Sequence, residues 1–217
     1  MSEFFEPPPP PPRREPRERS LPPWIGPPIG TVPGVVALEI PLVRNDRFAI
    51  FITRLDVYPE GFGFDVLALA SPGQDEDDLP DPMFFGPRRR LRGRGGGMPD
   101  DVLRIGVQFA DGRKATNTGE SPHSRSDFES PPEAPVMHSG GGGGGGRQWH
   151  QSEWVWPLPP PGPLAFVCQW PAAGIPFTRH EIDAQVILDA STRAQVVFPD
   201  QERGNEGQGR FSGGWIN

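Results

Sequence analysis

Phe62, Phe64, Val66, Ala68 and Ala70 alternate with Gly63, Asp65, Leu67 and Leu69. Successive strand side chains point to opposite faces, so this period of two predicts a strand with one buried face. The pattern recurs. Val36, Leu38, Ile40 and Leu42 share one parity, as do Phe48, Ile50 and Ile52, and again Leu103, Ile105, Val107 and Phe109. After Ile52 the apolar parity shifts to Leu55 and Val57, which predicts a β-bulge. Pro41 lacks a ladder donor and predicts an edge or bulged position. Turns at Arg44 to Arg47 and at Pro59 to Gly61 make the first three strands an antiparallel meander. Asp111-Gly112 predicts a tight hairpin with Arg113 to Thr116 as the return arm.

A second block runs from Trp149 to Phe198 with little slack. Trp149 to Trp156 is a predicted strand. Pro157 to Pro163 interrupts it, because so many prolines cannot sit in a strand interior. Leu164 to Trp170 is the next strand. Thr178 and Glu181 then have the spacing of a capping box, which predicts a helix reaching about Gln195 before Pro199 stops it. Together these elements predict a mainly β chain: an antiparallel, immunoglobulin-like β-sandwich with one C-terminal α-helix and long disordered insertions. The Cys–Trp–Cys spacing of antibody domains is absent.

Composition sets the boundaries of that domain. The 217 residues include 31 prolines and 28 glycines, which is more than a quarter of the chain. That fraction predicts that only part of the chain builds a core. Residues 1–31, with a run at Pro7 to Pro12, are expected to be a disordered tail of polyproline type. The same run is a possible ligand for an SH3-like groove. The domain is expected over 32–199, with flexible insertions at 71–100 and 118–147 and a Gly-rich tail at 200–217. The second insertion contains seven consecutive glycines, Gly140 to Gly146, expected to form a linker.

The string Arg147-Gln148-Trp149, followed by Trp154-Val155-Trp156-Pro157-Leu158-Pro159-Pro160-Pro161-Gly162-Pro163-Leu164 and then Trp170-Pro171-Ala172-Ala173-Gly174-Ile175-Pro176, resembles an actinobacterial protein family. The resemblance covers roughly residues 33 to 199. That family carries no assigned activity, so the resemblance implies a bacterial, cytoplasmic setting and transfers no functional residue.

Few residues point to chemistry. The net charge of −7 disfavours whole-surface attraction to nucleic acid or to an anionic membrane. No apolar stretch suits a signal peptide or a membrane span, so the expected location is cytoplasmic. Cys168 is the single cysteine, which excludes an internal disulfide; in an apolar strand it is expected to be a buried thiol. His180-Glu181 starts a zinc-protease pattern, but Ala184 stands where the second histidine belongs. No catalytic residue, cofactor or metal site is expected. Asp75 to Asp81 is acidic but lacks the ligand spacing of a calcium loop.

Two surfaces remain. Trp154, Trp156 and His150 share one strand parity: if the predicted helix from Arg179 to Gln195 covers that face it is core, which is the favoured reading, and if the face is only half covered it is a candidate partner-binding strip. Arg88, Arg89, Arg90, Arg92 and Arg94 form a basic loop able to pair with phosphates. No aromatic residue interleaves with them to stack bases. The leading expectation is therefore a non-enzymatic interaction module that binds another protein. A nucleic-acid-associated protein using the Arg88 to Arg94 loop is the alternative, and a small hydrolase the third.

Overall fold

The computed structural model describes residues 22–72, 100, 102–119, 130–133 and 135–199. The Arg88 to Arg94 loop, the acidic run from Asp75 and the tail beyond Asp200 lie outside the described residues. Three alternating runs become a meander: β2 (Gly34–Arg44), β3 (Phe48–Val57) and β4 (Phe62–Ala70). The turn after β2 is closed by Asn45, whose Oδ1 accepts the amides of Arg47 and Phe48. The register slips between Ile52 and Arg54. This is the bulge that the parity change predicts, and it returns Leu55 and Val57 to full burial. β5 (Arg104–Gln108) and β6 (Lys114–Thr116) form the hairpin, with Gly112 at φ +86° in its turn.

Four more strands follow. β7 (Val136–Gly145) and β8 (Gln148–Trp156) form one hairpin, and β9 (Pro163–Trp170) and β10 (Ile175–Asp183) another. A short helix, α1 (Gln185–Ser191), comes next. A two-residue strand β1 (Thr31–Val32) pairs with β11 (Gln195–Val196). One sheet has the order β2-β3-β4-β8-β7 and the other β10-β9-β5-β6. Every pairing is antiparallel.

The two sheets share one core. Phe64 on β4 meets Phe166 on β9 edge to face at 5.3 Å, and Phe48 on β3 meets Trp170 on β9 at the same distance. Ile50, Ile52, Leu55, Val57, Phe62 and Val66 have no exposed surface. Each such side chain contributes roughly 1.5–3 kcal/mol of burial. Cys168 is buried in this core, and burial pushes its thiol up to about 12. The helix seals the core over β2, where Ile187 and Ala190 are buried and Gly34 lies directly under the Ala190 carbonyl.

Three expectations are overturned. The stretch from Ile175 to Asp183 is strand β10 and not the first half of a helix. The Thr178 hydroxyl donates to the Cys168 carbonyl at 3.3 Å and does not cap anything. Glu181 accepts from Arg179 on its own strand. The pairing with β9 runs from Leu164 to Cys168 and resumes at Trp170 after a bulge, a larger return than two capping bonds. The helix starts only after Asp183, whose Oδ1 accepts the Gln185 amide at 2.9 Å.

The glycine run is likewise not a linker: Gly140 to Gly145 complete β7, with Gly142 to Gly145 paired to Gln151 to Gln148 after a register shift at Gly140 and Gly141. Lastly, residues 22–31 belong to the folded body. Pro22 to Ile25 form a turn closed by the Ile25 amide and the Pro22 carbonyl at 2.9 Å, and Thr31 pairs with Val196.

Candidate functional site

β8 is the penultimate strand of its sheet, flanked by β4 and β7. Its alternation divides its residues. Trp149, Glu153 and Val155 are buried and lie opposite Ala68, Phe64 and Phe62 of the core-facing row of β4. His150, Ser152, Trp154 and Trp156 occupy the outer face. The sequence parity of His150, Trp154 and Trp156 is therefore correct.

The sheet shapes a slot for Trp154. Its register partner on β4 is Gly63, and Gly61 lies just beyond. A Cβ at Gly61 would come within 2.7 Å of the Trp154 ring, so only a glycine lets the indole lie flat there. Tyr58 meets the same ring edge to face at 5.6 Å. Across the strand on the other side, His138 of β7 is the register partner of Trp154 and is also buried.

Trp154 nonetheless keeps only 4% of its surface exposed. The cover is not the helix but the N-terminal turn. Trp154 Nε1 donates to the Pro23 carbonyl at 2.9 Å. Trp24 stands edge-on to Trp156 at 5.7 Å. Ile25 is 3% exposed. Neither Ile25 nor Trp154 belongs to the core between the sheets; the ring pairs Trp24–Trp156 and Tyr58–Trp154 stand apart from it. Trp156 is half-buried beneath this cover. His150 is exposed, about 13 Å along the strand from Trp154. Its ring nitrogen pairs with Gln148 Nε2 at 2.7 Å, so it stands apart from the aromatic pair.

Trp24, Ile25, Tyr58 and the two glycines are functional candidates that parity does not disclose. The available signal was an apolar pair, Trp24-Ile25, set between Pro22-Pro23 and Pro27-Pro28. An aromatic and an aliphatic residue inside a proline tract have a reason to dock.

The inner face of β8 holds a buried acid. Glu153 is 2% exposed and accepts the Ser139 hydroxyl at 3.0 Å. Its Oε2 has no hydrogen-bond partner among the described residues. Burial pushes its pKa up to about 8, against the opposing pull of the Ser139 bond. Ser139 and Glu153 face inward while His138 and His150 lie on the outer side of the same two strands. The pairing thus keeps hydroxyl and acid apart from imidazole, and no Ser-His-acid relay forms here. Among the described residues there is no cluster of three or more His, Cys, Asp or Glu. No helix of the described residues is long and apolar enough to cross a membrane.

No family model, curated protein or solved structure matches this chain.

Proposed function

We propose that this chain is a non-enzymatic, cytoplasmic protein-interaction module whose docking surface is the outer aromatic face of β8. The observation that carries this is the indole hydrogen bond from Trp154 to the Pro23 carbonyl. A rigid sheet presents an aromatic N–H to a peptide segment, with the Trp156 ring meeting Trp24 and Tyr58 packed against Trp154 behind it. Amphipathic rings of this kind dominate protein interfaces, because they add apolar area while their polar end finds a partner. The outward row is held by a two-layer scaffold, so its geometry is fixed before a partner arrives. The order β3-β4-β8-β7 over β10-β9-β5-β6 supports an immunoglobulin-like reading of that scaffold, with β2 as an added edge strand. The fold alone names no partner.

The test is a screen of extended peptides against the full chain, followed by indole N–H resonances. Binding at this face moves the signals of Trp154 and Trp156 and leaves that of Trp170, buried in the core, in place. Ligands that shift only Trp170 or none of these signals would place the docking surface elsewhere.

A further inference from the structure

Resting on that reading, we infer that the β8 face recognises a proline-turn peptide, Pro-Pro-aromatic-aliphatic, presented by another polypeptide, and that Pro22 to Ile25 is the chain's own competing copy of this ligand. The bound segment specifies the ligand class. Its backbone folds into a turn, with the Ile25 amide on the Pro22 carbonyl and Pro23 at the second position. Proline is pre-set for that position, so little conformational entropy is lost on docking. Two contacts then read it, the Pro23 carbonyl on Trp154 and the Trp24 ring on Trp156, and the Ile25 side chain is itself buried. Pro22 and Pro23 bring no amide donors, so no N–H of theirs is left unmet against the aromatic surface.

The seat belongs to the sheet and not to the turn. Gly61, Gly63 and Tyr58 shape the Trp154 slot from β4 and the turn that joins it to β3. The turn, by contrast, rides on the outside. Pro22, Pro23 and Trp24 are only half-buried, and Pro27 and Ile29 beyond them are exposed. A few residues tether it to β1. Such a short tether holds a segment at an effective concentration on the order of millimolar. A free peptide of the same type must therefore compete with it, and weakening the tethered turn raises apparent affinity.

The experiment uses the full chain and a labelled peptide with the sequence of residues 20–30. The Trp24→Ser/Ile25→Ser double variant should bind this peptide at least tenfold more tightly than the wild type. Adding Trp154→Phe to the double variant, which keeps a ring but removes the N–H donor, should cost about fivefold in affinity. A peptide carrying Trp24→Ala should not bind. If the double variant does not fold, millimolar peptide added to the wild type should still shift the Trp154 indole signal. A folded double variant that ignores the peptide overturns the inference. If that variant binds proline-free peptides instead, the docking face stands and the proline-turn class falls; if it binds no peptide at all, both fall. Wild-type dimerisation with no peptide uptake by the variant would overturn it in favour of exchange between copies.

Discussion

The Ser139 hydroxyl donates to Glu153 Oε1 at 3.0 Å, across the register that pairs these two residues inside the sandwich. Burial holds the carboxyl protonated, with its pKa raised from 4.5 to about 8. Between these two values the native state binds more protons than the unfolded chain. Stability is therefore full below about pH 4.5, falls as pH rises to about 8, and levels off above. The total loss is roughly 4–5 kcal/mol from this group. Urea denaturation at pH 5, 7 and 9 measures it, and a flat profile would refute it.

Glu153→Gln should remove that slope. The amide is neutral at every pH, and its carbonyl oxygen can still accept from Ser139. At pH 5 the variant should match the wild type within about 1 kcal/mol, and at pH 9 it should be more stable by roughly 2–4 kcal/mol. Parallel losses in both proteins would point to a different titrating group.

Trp154→Phe deletes the N–H that holds the Pro23 carbonyl. The expected cost is about 1 kcal/mol, and it falls on the N-terminal turn rather than on the core. Hydrogen exchange at the Ile25 amide should accelerate, while exchange at Ile52 and Phe166 should not. Equal acceleration everywhere would mean that the turn and the sandwich unfold as one unit.

Gly61→Ala should be costly and Gly141→Ala nearly silent. The first places a methyl against the Trp154 ring and the Val155 carbonyl, both at 2.7 Å; the second meets nothing within 4 Å. Overpacking predicts a loss of about 1–3 kcal/mol for Gly61. Gly141 should stay within about 0.5 kcal/mol. Thermal denaturation of the two variants side by side decides it.

Thr178→Ala tests the strand assignment. As a helix cap its loss would melt helix; in β10 it removes one hydroxyl bond to the Cys168 carbonyl. The expected cost is about 0.5–1 kcal/mol with unchanged helical circular dichroism. Gly34→Ala, whose methyl would collide with the Ala190 carbonyl, should instead displace α1 and lower the helical signal.

The sandwich was legible wherever side chains carry the period. β2 to β5, β8 and β9 announce themselves by alternation, and the β3 bulge by its parity change. The misses share a cause: the deciding partner is remote or leaves no side-chain trace. Thr178 to Asp183 satisfies a capping box and also alternates Thr178, His180 and Ile182 against Arg179, Glu181 and Asp183. Only the free edge of β9 chooses between them. Gly142 to Gly145 pair through backbone alone, so no residue pattern marks them. At the candidate site, parity placed Trp154 and Trp156 together. It could not reveal that Pro23, 131 positions away in sequence, supplies the lid.

The β1–β11 ribbon has a mechanical meaning. Thr31 lies opposite Val196, and the Gly30 carbonyl accepts the amides of both Val197 and Phe198. The chain thus enters and leaves at the same end of an antiparallel pair. Tension applied at residues 30 and 198 loads these bonds in sequence, as in a zip, and not all at once in shear. The ribbon yields first and at low force, while both sheets behind it still carry no load.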